Sequence, residues 1–178
     1  SCRTAQSSRP QVVTSFYPLY YFTAQIAGSD AEITNLIPAG VEPHDFELSA
    51  RDIARLQTSD LIIINGLKFE PWIDKITSEE TEVKKKMVVT SDLIDKKYLT
   101  EALPGELLFD PHIWLDPVLA RQQVIAIEDA LMRADAEHGE EYKKRAEDLV
   151  GRLDDLHNEF RIGLAMCQRT TFVTAHAA

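Results

Sequence analysis

Hydrophobic and polar positions alternate in short runs over the first half of the chain. "QVVTSF" (11–16) is rich in β-branched residues and reads as a strand. "PLYYFTAQIAGSD" follows as a helix, with Pro18 suited to its first turn and Gly28 to its end. "EITNLI" (32–37) reads as a second strand, stopped by "PAGVEPHD" with Pro38, Gly40 and Pro43 as breakers. Ser49 is placed as an N-cap for "ARDIARLQTSD", and Asp52 three residues on is its acidic partner. "LIIIN" (61–65) is an apolar run of strand length, buried on both faces if it is a strand, and Gly66 follows it. "PWIDKIT" reads as a short helix and "MVVT" (87–90) as another buried strand. Strands alternating with helices predict an α/β fold, a parallel sheet flanked by helices. Such sheets bind ligands on the loops that follow the carboxyl ends of their strands. His44 lies on one of these loops, after "EITNLI".

From Pro117 the period lengthens. "PVLARQQVIAIEDALMRAD" is a helix opened by Pro117. In the next segment Tyr142, Ala146, Leu149, Leu153, Leu156, Phe160, Leu164 and Cys167 recur every three or four residues, one apolar stripe on a charged helix. From Glu140 to Cys167 that helix would run about 42 Å at ~1.5 Å per residue. A coiled-coil seam and a spine between two lobes both fit the stripe. "TTFVTAHAA" (170–178) is a fresh β-branched run with His176 near its end, which favours the spine. The expected division is a tail over 1–10, an α/β lobe over 11–136, a long interdomain helix over 137–169 and the first strand of a second lobe over 170–178. The sequence reads as stopping where that lobe begins.

Composition narrows the function classes. Hydrophobic residues make up 44% of the 178, enough for a sizeable core. The net charge of -10 argues against a nucleic-acid partner and suits a protein that handles cations or simply stays dispersed. No apolar run approaches the ~18 residues of a membrane-spanning helix. Cys2, in the polar start "SCRTAQSSRP", is either a tail cysteine without consequence or the lipid-modified first residue of an exported lipoprotein. Cys167 falls in an apolar stretch and is expected to be a buried thiol.

Of five histidines, His138 sits in a polar turn and His157 on the charged side of the long helix, both expected in solvent. His44 in "PHDFE", His112 in "DPHIWLDP" and His176 in "VTAHAA" each fall near a strand end or loop. Three imidazoles from separate elements suit zinc, which often takes three protein ligands plus one further position. Asp110 and Asp116 are candidates for carboxylates that orient His112. Turn and helix-cap chemistry explains them equally well. A metallohydrolase would need a general base beside a metal-bound water, and Asp45 or Glu47 are the nearby carboxylates. No HExxH, GxSxG or Walker-type glycine loop accompanies them. A helical interaction protein with incidental histidines is a third option.

"VVTSFYPL", "LIPAGVEPHDFELSARDIARLQTSDLIIINGLKFEPW", "DPHIWLDP" and "FVTAHAA" together resemble the zinc/manganese-binding receptor proteins of ABC importers, in family order from residue 11 to the end. The resemblance implies two α/β lobes joined by a long helix, with the metal in the cleft between them. It implies that His44, His112 and His176 are metal ligands, that the ion is Zn²⁺ with Mn²⁺ as the alternative, and that a membrane permease is the partner outside the cytoplasmic membrane. Histidine rather than glutamate at the third position resembles the zinc type. Pro43 stands where some members carry a glutamate before the first histidine, and Glu47 would have to point inward to serve as a fourth ligand. "KKYLTEALPGELLFD" has no histidine, unlike the His-rich loop of some zinc receptors. Imidazole ligands bind metal only when neutral, so capture should weaken as pH falls through about 6.5.

Overall fold

The computed structural model describes residues 9–77, 81–102, 108–169, 171 and 173. Four strands, β1 (Gln11–Thr14), β2 (Glu32–Asn35), β3 (Leu61–Ile64) and β4 (Met87–Val89), form one sheet in the order β2-β1-β3-β4. All three pairings are parallel, as the alternation of strands and helices predicts. The order reverses between β1 and β3, so the loops after these two strands diverge and leave a crevice at their carboxyl ends.

Both faces of the sheet are covered. Val12, Leu61 and Ile63 face a core shared with α1 (Tyr17–Ala27), α5 (Pro117–Ala134) and the first half of α6 (Gly139–Leu164). Val13, Ile62 and Ile64 face a smaller core with Leu56 of α2 (Ala50–Thr58), Trp72, and residues of α3 (Ile73–Ile76) and α4 (Glu82–Lys85). Every residue of β3 is buried, which is why its sequence shows no alternation.

Local signals set the helix ends. Pro lies in the first turn of α1 and its backbone leaves through Gly28 at φ 58°. Ser49 and Asp52 form the capping box of α2. Asp116 caps α5, its Oδ1 accepting from the Val118 N–H at 2.8 Å. The long helix runs over 26 residues, and Cys167 lies beyond its end. Cys167 is exposed and free, which corrects the expectation of a buried thiol. The apolar spacing that suggested burial belongs to a stripe that nothing among the described residues covers at this end. The strand expected over 170–178 lies, except for Thr171 and Val173, outside the described residues.

Candidate metal centre

His44 sits in a 3-10 turn, Pro43–Asp45, that begins at the Pro43 break. Glu42 fixes the turn by accepting from the His44 N–H at 3.3 Å. His112 opens a second 3-10 turn, Ile113–Leu115, and here Asp110 does the fixing. Asp110 Oδ1 accepts from the His112 backbone N–H at 2.9 Å and lies 2.6 Å from His112 Nδ1. A carboxylate at Nδ1 selects the tautomer with the proton on that nitrogen and turns the lone pair of Nε2 outward.

The two Nε2 atoms meet 3.4 Å apart, with ring centroids at 5.4 Å and planes crossing at 68°. Two imidazoles on one tetrahedral Zn²⁺, with Zn–N bonds of about 2.0–2.1 Å, hold their nitrogens about 3.3–3.4 Å apart. The separation therefore matches the bite of one ion, and it also suits a direct N–H···N contact when no ion is bound. His112 is 9% exposed at its side chain, while His44 is open to solvent, so an ion would arrive from the His44 side.

Aromatic rings hold the pair from behind. Phe69 packs edge-on to His44 at 4.9 Å and to His112 at 6.2 Å between centroids. Trp114 lies 5.2 Å from His112 and 4.9 Å from Phe69. Phe16, just after β1, contacts both Phe69 and Trp114, at 4.6 and 4.5 Å. A dry wall behind two imidazoles strengthens the field each nitrogen exerts on a cation.

The structure treats the sequence candidates unequally. His44, His112 and Asp110 come together at the carboxyl edge of the sheet. Asp116 serves α5 as its cap. Glu47 is exposed and pairs with Lys75 at 3.1 Å. His176 lies outside the described residues, and among the described residues no group of three His, Cys, Asp or Glu is placed to hold a metal. The aromatic wall went unread in the sequence, because Phe16, Phe69 and Trp114 are far apart in the chain and carry no motif.

Neither did the sequence disclose a buried polar cluster under the site. Asn65, at the end of β3, donates from its side chain to the Pro111 carbonyl at 2.8 Å, next to His112. Gln123 of α5 donates to Asn65 Oδ1 at 3.0 Å and to Thr90 Oγ1 at 2.9 Å. Glu70 lies beside this cluster, 3% exposed. Burial pushes its carboxyl above the usual carboxylate range, against the hydrogen bonds it accepts from Asn65, Ser15 and Gly66.

Known proteins are similar to this chain in sequence and in fold. The family model described as the zinc-uptake complex component A, periplasmic, matches residues 12–178. The chain belongs to this family of extracytoplasmic zinc-uptake components. It is 32% identical to the high-affinity zinc uptake system protein ZnuA of Bacillus subtilis, over 98% of this chain and 57% of that protein. It is 34% identical to the zinc-binding lipoprotein AdcA of Streptococcus pneumoniae, over 94% of this chain and 35% of that one. Among solved structures it superposes on the metal-dependent lipoprotein YcdH from Bacillus subtilis with a TM-score of 0.84 at 34% identity, covering 95% of this chain and 61% of that one. Zn(II)-bound AdcA from Streptococcus pneumoniae gives 0.84 at 33% identity, over 96% and 36%. The chain thus spans between 35% and 61% of the length of these relatives and solved chains.

Proposed function

We propose that this chain is the metal-binding lobe, with the adjoining spine helix, of an extracytoplasmic receptor that captures Zn²⁺ and delivers it to the permease of an ABC importer. The observation that carries the proposal is the 3.4 Å approach of His44 Nε2 and His112 Nε2, with His112 oriented by Asp110. Zinc is the cargo, held without chemical change by neutral imidazoles and released to the permease. The names of the relatives, a high-affinity zinc uptake protein and a zinc-binding lipoprotein, support zinc over manganese.

His176 is proposed as the third ligand, brought to the cleft from the far side of the interdomain helix. The domain division at 137–169 and 170 onward belongs to the same proposal. Cys2 is proposed as a lipid anchor, a role consistent with the lipoprotein names of two relatives. Among the described residues no helix is long and apolar enough to cross a membrane. Both general-base candidates of the hydrolase, Asp45 and Glu47, are exposed, and Glu47 is paired with Lys75.

The test is zinc uptake by the complete natural protein. One Zn²⁺ per chain is expected, without hydrolytic turnover. Asp110→Asn should weaken capture by about 10–100-fold, the usual cost of losing the carboxylate behind a ligating histidine. Unchanged affinity in both Asp110→Asn and His112→Ala would remove the basis of the proposal.

A further inference from the structure

The chain after β3 makes an uncommon turn on its way to the site. Gly66, Leu67 and Lys68 all have positive φ, at 88°, 55° and 64°. The Phe69 N–H closes the turn on the Gly66 carbonyl at 3.0 Å. Left-handed backbone is routine for glycine and strained for Leu67 and Lys68, and it persists only where the surroundings over-determine it. Glycine is required at position 66, where an added Cβ would fall 2.4 Å from Val89 Cγ1 and 2.3 Å from Ser91 Oγ.

Glu70 supplies the over-determination. Its Oε1 accepts from the Asn65 N–H at 2.7 Å and from the Ser15 hydroxyl at 2.7 Å. Its Oε2 accepts from the Gly66 N–H at 3.1 Å. The carboxylate thus grips the entry to the turn and the end of β1 together. What the turn presents is Phe69, the ring that touches both His44 and His112. What Asn65 presents, through its side chain, is the Pro111 carbonyl beside His112. A buried acid is a costly way to close a turn, since burial disfavours its charge and among the described residues no cation pairs with it. The cost is offset if the turn must be rigid.

We infer that Glu70 is a positioning residue for metal capture, locking the left-handed turn 66–68 so that Phe69 and the Asn65–Pro111 contact hold His44 and His112 at the spacing of a single ion. The inference rests on the zinc-receptor function proposed above. Glu70→Gln keeps the size and loosens the grip, because the amide NH₂ must face an N–H that the carboxylate accepted.

The experiment uses the complete natural protein and two readouts. In the metal-free protein, imidazole C–H resonances of His44 and His112 are compared between wild type and Glu70→Gln. Zinc affinity is then measured by chelator competition. Glu70→Gln should shift both imidazole resonances and weaken zinc by about tenfold, the lower end for a residue supporting metal ligands. Ile26→Val, at the opposite end of the sheet, is the control for lost stability and should leave both readouts unchanged. Should Glu70→Gln not fold, Ser15→Ala removes one of the three donors and should shift the same resonances, with a smaller loss of affinity. Unmoved imidazole resonances in the folded variant overturn the inference. Shifted resonances in a protein whose wild type takes no zinc would instead uphold the positioning and overturn the zinc-receptor function.

Discussion

Tyr142, Ala146 and Leu149, in the first half of α6, are 0%, 0% and 3% exposed, whereas Leu156, Phe160 and Leu164, continuing the same stripe, are 40%, 53% and 61% exposed. The first half lies against α1 and α5, and polar contacts pin it there. Arg145 donates to the Ile26 and Ala27 carbonyls at 3.1 and 2.8 Å and pairs with Asp30 at 2.8 Å. Arg121 of α5 pairs with Asp154, and beyond that point the apolar stripe of the helix is exposed. Both halves repeat apolar residues at three- or four-residue steps. That spacing defines which face is apolar and says nothing of what covers that face.

The difference should appear as unequal sensitivity to truncation. Leu149→Ala is expected to cost about 2–5 kcal/mol of unfolding free energy, the range for a buried leucine. Leu164→Ala should stay within about 0.5 kcal/mol in this chain, because an exposed side chain leaves no cavity. Urea denaturation of both variants checks the contrast, and equal costs would mean that the distal stripe is covered. Arg145→Ala comes next, at about 1–2 kcal/mol, since it strands two carbonyls and Asp30 while the guanidinium itself is one-third exposed. A cost below a few tenths would show that the helix is held by its apolar contacts alone.

The smallest effect concerns pH at the start of α6. His138 Nδ1 lies 2.7 Å from Asp135 Oδ2, and the Tyr142 hydroxyl donates to the same oxygen at 2.8 Å. The hydrogen bond to Asp135 holds His138 above the ordinary imidazole value, against partial desolvation. Burial pushes Asp135 up, but the hydrogen bonds from Tyr142 and His138 outweigh it and leave the carboxyl below its usual range. The histidine's contribution is fully present below the unfolded value of about 6.5 and is lost as pH rises through the raised folded value. The carboxylate's contribution is lost only in acid. Thermal melts at about pH 6 and about pH 8 should therefore differ more in wild type than in His138→Gln. Equal slopes would show that the clasp adds nothing.

Much of this was legible in the sequence. The β-branched runs, the breakers at Pro38 to Pro43 and the Ser49 box are local signals, and the structure has each element where they point. The grouping of His44 with His112 was suggested by their places near strand ends and loops and made specific by motif resemblance, because 68 residues separate the two and no spacing rule connects them. Glu70 was invisible. In "NGLKFEPW" it reads as an ordinary surface acid, and its burial follows from the left-handed turn at Leu67 and Lys68, which their side chains do not advertise. Cys167 is the opposite case: its apolar neighbours in sequence suggest burial, and the side chain is exposed because the spacing of a stripe does not specify a cover.

X-ray absorption at the zinc edge of the loaded natural protein reads the metal's ligands directly. Imidazole scattering from at least two ligands is expected, with one imidazole lost in His44→Ala and one in His112→Ala. A zinc spectrum that keeps its full imidazole count in both variants would contradict ligation by His44 and His112.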